Sequence, residues 1–208
     1  SKRVGGFGGV MGLCAYLESQ AVTHVVDATH PFAVQMSRHA VDACAKVGIP
    51  LLAIQRPPWL AQEGDYWIEV NNISEAVKKL GRPRCNVMLA LGRKHISKFS
   101  IHPQHRYTLR LVDPPKNDIP LADFKCIVSR GPFTYTEDLK LFKKHKINIM
   151  VSKNSGGSAT KSKIEVARSL AFPVVMINRP VLHRVRQEVV TVEEAAQWVF
   201  HMRKDRGV

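Results

Sequence analysis

Residues 22–55 alternate in a way that leaves few folds open. An apolar run, Val22–Asp27, gives way at Ala28-Thr29-His30-Pro31 to a helical spacing in which Met36, Ala40, Ala43, Cys44 and Val47 share one face. Pro31 suits the first turn of that helix and Gly48 its end, and Ile49–Gln55 is the next apolar run. Two strands joined by a helical crossover are parallel neighbours, and parallel sheets are covered on both faces. The stretch therefore requires an α/β fold with mostly parallel strands.

The same grammar continues to the end of the chain. Strands are expected at Tyr66–Val70, Cys85–Leu91, Arg106–Val112, Phe124–Ser129, Ile147–Ser152 and Val174–Ile177. Helices are expected after Asn72-x-x-Glu75, Thr134-x-x-Glu137 and Thr191-x-x-Glu194, each a capping-box spacing. Lys94–Phe99 and Lys161–Leu170 complete the set. Gly81-Arg82-Pro83-Arg84 reads as a linker, which divides the chain into an N-terminal lobe, 1–82, and a C-terminal lobe, 83–208, that includes the terminal helix.

Charge narrows the partners. Lys and Arg number 31 against 17 Asp and Glu, a formal +14, which concentrates anions of every kind around the protein. A nucleic-acid partner would want basic residues interleaved with exposed aromatics or set along a helix. Only His183-Arg184-Val185-Arg186 and Arg203-Lys204-Asp205-Arg206 offer such clusters, and both read as solvated termini, so no nucleic acid is expected. No apolar run approaches the ~20 residues of a membrane span, and no membrane partner is expected. Four separated cysteines without a C-x-x-C read as small hydrophobes in a reducing, cytoplasmic compartment. No cysteine lies near the one close histidine pair, His102 and His105, and no metal site is expected.

The strand ends carry the chemistry. Arg93, Arg130, Lys153 and Arg179 each follow an apolar run, as Arg56 does in the first lobe; in an open parallel sheet the carboxyl ends share the edge where ligands bind, so those four are expected to converge. Cations gathered there call for an anion among them; the plain alternative is that loops are polar. Lys153-Asn154-Ser155-Gly156-Gly157 lies between a strand and a helix, where free backbone N–H groups hold anions, though a tight turn with a cap would look alike. Gly6, Gly8 and Gly12 give G-x-G-x-x-x-G, a departure from the dinucleotide fingerprint. Thr29 and His30 at a strand tip either cap the next helix or face the crevice, where His30 would serve as a proton donor. No nucleophile–base–orienter trio stands out, so a reaction needing positioned anions and a proton fits better than covalent catalysis.

Taken together, Val4-Gly5-Gly6-Phe7-Gly8-Gly9, Asp27-Ala28-Thr29-His30-Pro31-Phe32-Ala33, Arg56-Pro57-Pro58-Trp59, Leu91-Gly92-Arg93, Arg130-Gly131-Pro132-Phe133 and Lys153–Gly157 resemble, in order, the precorrin-6A reductase family of corrin biosynthesis. The resemblance implies two Rossmann-like lobes with the active site in the cleft between them. It implies NADPH as cofactor and the tetrapyrrole precorrin-6A, or its cobalt complex, as substrate. Hydride would go to one carbon of a macrocycle double bond and a proton to its neighbour. On this reading His30 and Lys153 are catalytic, and Gly6, Gly8, Thr29, His30 and Arg93 bind cofactor. Arg56, Arg130, Lys153, Asn154, Ser155, Gly156, Gly157 and Arg179 bind substrate. Family members usually begin with a further strand–loop–helix–strand whose Gly- and Thr-rich loop touches the cofactor. The chain starts near the family's glycine cluster, so a shortened form with weakened NADPH affinity is expected; titration against an N-terminally extended version tests this. The alternative function is a non-catalytic tetrapyrrole- or polyanion-binding protein, which would not oxidise NADPH when given substrate.

Overall fold

In the computed structural model of the chain, residues 2–115, 117–182 and 185–204 are described, without the side chains of 203 and 204. Two compact units form: Ser1–Pro57 with Pro180–Val208, and Pro58–Arg179.

In the first unit, α1 (Gly9–Ser19), β1 (Val25–Asp27), α2 (Val34–Val47) and β2 (Leu51–Ile54) come in order. β9 (Gln187–Val189) and α6 (Val192–Lys204) return from the chain's end. The sheet order is β1-β2-β9, parallel throughout, with Val26 opposite Leu52 and Ala53 opposite Glu188. Leu13, Cys14 and Leu17 of α1 and Ala40, Ala43 and Cys44 of α2 form the core, which is the apolar face that the spacing predicts.

The second unit holds β3 (Trp67–Val70), α3 (Ile73–Lys79), β4 (Asn86–Ala90), a 3-10 helix (Arg93–Ile101), β5 (Arg106–Leu111) and β6 (Phe124–Val128). α4 (Tyr135–Lys144), β7 (Ile149–Lys153), α5 (Ser162–Ser169) and β8 (Val174–Ile177) follow. All six strands are parallel in the order β3-β8-β7-β4-β5-β6. β8 is buried at every position and β7 at all but its last, the unbroken apolar character of a doubly covered sheet. α4 begins with a full capping box between Thr134 and Glu137. Its Phe142 is wholly buried against Trp59, Met150 and Phe172, among others.

The structure corrects several expectations. The division does not fall at 82/83: β3 pairs with β8, which draws 58–82 into the second unit, whereas β9 pairs with β2 and α6 packs on it, which returns 180–208 to the first. α2 starts at Val34 rather than at Pro31, because Ala33 N–H bonds the His30 carbonyl in a preceding turn. Neither Thr29 nor His30 caps it; the N-cap is Ala33, with no side-chain bond. Arg186 is not a solvated terminus: its guanidinium meets Asp27 at 2.7 Å, and both side chains are nearly sealed from solvent, 6% and 2% exposed. His183, Arg184, Asp205 and Arg206 lie outside the described residues.

Candidate active site at the strand ends

Strand order places the edge that matters. β4 and β7 are neighbours, yet the chain leaves β4 toward β5 and leaves β7 toward β8, on opposite sides. Where connections diverge in this way a crevice opens at the carboxyl ends, the usual ligand position of an open α/β sheet. Lys153 ends β7, the 3-10 helix starts just beyond β4, and the glycine turn 154–157 follows Lys153 directly.

That turn is held from both sides. Trp59 N–H donates to Asn154 Oδ1 at 2.8 Å, and Asn154 Nδ2 donates back to the Trp59 carbonyl at 2.9 Å. Trp59 Nε1 donates to the Gly157 carbonyl at 2.8 Å, and Arg179 donates to the carbonyls of Asn154 and Ser155 at 2.9 and 3.0 Å. Three carbonyls are thus turned onto protein donors. Gly156 and Gly157 both have left-handed φ, +65° and +76°, which side chains disfavour. Among the described residues, their N–H groups donate to no protein acceptor. Consecutive free N–H groups of this kind form an anion-binding nest.

Lys153 Nζ lies 3.1 Å from His95 Nε2, and burial pushes the pKa of the lysine down. His95 is also pushed down, first by burial and then by the charges of Lys153, Lys98 and Lys94. Arg93 donates to the Pro114 carbonyl at 3.3 Å and approaches Asp113 at 4.0 Å; Arg130, exposed after β6, approaches the same carboxylate at 3.6 Å. Arg93, Arg130, Lys153 and Arg179 therefore all stand on the carboxyl edge of one sheet, and Asp113 sits between the first two.

A cavity of about 380 Å³ opens on that edge, lined by Arg93, Arg110, Phe133, Thr160 and Lys163 with apolar walls from Leu91, Leu111 and Val112. Arg110, Phe133 and Asp138 also line it, and the sequence pattern gave no sign of their grouping. The Arg110 guanidinium bonds Asp138 and stacks 4.0 Å from the Phe133 ring, and Ser162 Oγ donates to Asp138 at 2.6 Å. Arg110 lies inside β5 with no turn beside it, so no strand-end signal marks it.

The first unit presents its own edge. Asp27 is buried at the end of β1 and accepts from the Thr29 N–H at 3.0 Å and from Arg186. Burial raises its pKa, but hydrogen bonds from Ser37 and Thr29 and the Arg186 charge outweigh that and leave it lowered. Thr29 Oγ1 bonds Ser37 Oγ at 3.1 Å, and His30 Nδ1 accepts from the Phe32 N–H at 3.2 Å. Thr29, His30 and Arg56 line a cavity of about 310 Å³. α1 follows Gly8, whose φ is +84°, and its N-terminus has no side-chain cap. Cβ atoms at Gly5 and Gly6 would meet nothing within 4 Å, whereas one at Gly12 would lie 1.7 Å from the Phe7 carbonyl oxygen. An uncapped helix N-terminus behind an unobstructed glycine turn suits a phosphate. Gly6 and Gly8 thus fit a dinucleotide cofactor, with Thr29 and His30 at the neighbouring strand tip.

Among the described residues no group of three or more His, Cys, Asp or Glu is placed to hold a metal ion, and no helix is long and apolar enough to cross a membrane.

The fold and these edges define a class: a Rossmann-like α/β protein with its polar and basic side chains collected at the carboxyl ends of parallel strands. The sequence model of the family described as Precorrin-6x reductase CbiJ/CobK matches residues 1–200, and the chain belongs to that family. Precorrin-6A reductase of Rhodobacter capsulatus is 46% identical over 207 residues, covering 99% of this chain and 82% of that protein. Precorrin-6A reductase of a Sinorhizobium species is 42% identical over 202 residues, covering 96% and 76%. A solved structure of CobK precorrin-6A reductase superposes with a TM-score of 0.93 at 46% identity, over 96% of this chain and 82% of that one.

Proposed function

We propose that the protein reduces one double bond of precorrin-6A with NADPH in cobalamin biosynthesis. The metal-free macrocycle is favoured because it is the substrate named for both relatives. The observation that carries the reading is Lys153 beside an anion nest at the point where the strand connections diverge.

Gly6 and Gly8 hold cofactor phosphate on the α1 N-terminus, with Thr29 and His30 at the adjoining strand tip, and Arg93 is a further cofactor-binding residue. Bound NADPH supplies a hydride. The substrate's acetate and propionate arms are carboxylates, and Arg56, Arg130 and the N–H groups of Gly156 and Gly157 take them, while Asn154, Ser155 and Arg179 keep the turn in shape. Charge-assisted hydrogen bonds of this kind position a polyanion without covalent chemistry.

Lys153 Nζ gives up a proton. That proton would go to the carbon beside the one reduced, whose π pair forms the new C–H bond, leaving Lys153 as a neutral amine that water reprotonates. A desolvated ammonium with a lowered pKa is the stronger acid. His30, which accepts the Phe32 N–H through Nδ1, is the second candidate acid.

Anaerobic mixing with precorrin-6A and NADPH tests the proposal. NADPH should be consumed only when the macrocycle is present, one for each macrocycle that gains two hydrogens. Tight macrocycle binding with no NADPH consumed would leave a carrier instead.

A further inference from the structure

We propose that His95 is a positioning residue for Lys153: while neutral, its Nε2 accepts a hydrogen bond from the ammonium and holds that group at the sheet edge, and on protonation it releases it. The inference rests on the reading of Lys153 as proton donor.

The geometry starts from topology. β4 and β7 pair with Ala90 opposite Ser152, so the 3-10 helix that begins at Arg93 lies beyond the tip of β7. There His95 Nε2 comes within 3.1 Å of Lys153 Nζ, 58 residues away in sequence. A lysine ammonium has three donors and no acceptor, so the imidazole must accept, and its own proton must sit on Nδ1. An imidazolium has no lone pair to offer. Protonating His95 would therefore break the bond and set a second cation against the first.

The surrounding charges agree. Those acting on His95 are cationic: Lys153 from β7, and Lys94 and Lys98 from its own 3-10 helix. Just beyond β8, the Arg179 guanidinium is turned onto the carbonyls of Asn154 and Ser155. Burial, and then the charges of Lys153, Lys98 and Lys94, keep His95 neutral below its ordinary pKa of 6.5. Burial brings Lys153 down from its ordinary 10.5. The productive pair, neutral imidazole and charged ammonium, exists between those two lowered values. As pH falls through the His95 value the hydrogen bond is lost; as it rises through the Lys153 value the acid is lost.

The test needs no substrate at first. In the intact protein with labelled histidine, nitrogen NMR should show His95 as the Nδ1–H tautomer, titrating below an ordinary histidine. Lys153→Met should shift that titration upward. An Nε2–H tautomer, or a titration unmoved by Lys153→Met, overturns the pairing. Kinetics then test its use. His95→Phe should lower kcat/KM about 10- to 100-fold, the range of a lost orienting partner. His95→Gln, whose amide oxygen accepts at every pH, should recover part of that loss and abolish the acid limb of the profile. A His95→Gln profile with the acid limb in place means a merely structural histidine. Full activity in Lys153→Met would instead remove Lys153 as proton donor, an outcome the NMR titration reports separately.

Discussion

Asp27 shows how a single buried carboxylate organises a strand tip. It is paired with Arg186, which also donates to Glu188 at 3.0 Å, so one guanidinium ties β1 to β9 across the sheet. Removing one partner of a buried pair leaves the other charge unpaired. Asp27→Asn should cost about 3 kcal/mol, the low end for such a break because Glu188 remains, measurable by chemical denaturation. The folded pKa of Asp27 is depressed, so its contribution is present above the unfolded value and is lost as pH falls through the folded one. The variant should therefore lose less stability than the parent on acidification. At this scale the sequence marked Asp27, Thr29 and His30 as a tip and left their partners unseen, because Arg186 reaches Asp27 from 159 residues away. Lys153 was legible as a strand-end cation before a glycine turn. His95 and Arg110 were not, since the contacts that give them meaning are made only by the pairing of β4 with β7 and the packing of α4 and α5.

At the scale of elements, the turn 154–157 is the clearest device. Three of its carbonyls are held by Trp59 and Arg179, and among the described residues the Gly156 and Gly157 N–H groups donate to no protein acceptor. Asn154→Ala removes both bonds to the Trp59 backbone and strands a buried donor and acceptor, so it should cost about 3 kcal/mol. It should also raise KM for the macrocycle more than it weakens NADPH binding, because Gly6 and Gly8 belong to the other unit. Denaturation and a pair of binding titrations separate the two effects. Strands and capped helices were readable from local pattern: Asn72, Thr134 and Thr191 each accept the N–H three residues on, as a capping box requires. β9 was not readable, because three mostly polar residues have no periodicity, and only their partner β2 makes them a strand.

The whole molecule is two units crossed twice by the chain, at 57/58 and at 179/180. Local signals placed a linker at 81–84, but that segment runs between two elements of one unit, α3 and β4. A boundary crossed twice has no local signature on its return, which is why composition alone misplaced it. The second unit is continuous, six-stranded and has its own core, the properties of a domain that folds alone. Residues 58–179 expressed by themselves should unfold cooperatively with heat; a broad, featureless melt would contradict the division.

The reaction we propose adds hydride from NADPH to one carbon of a macrocycle double bond and a proton from Lys153 to its neighbour. The isotopic fate of the two hydrogens measures that most directly. NADPH deuterated at its transferring position, in ordinary water, should leave one deuterium on the macrocycle. Ordinary NADPH in heavy water should place one on the neighbouring carbon. A product carrying no deuterium from the cofactor would contradict the account.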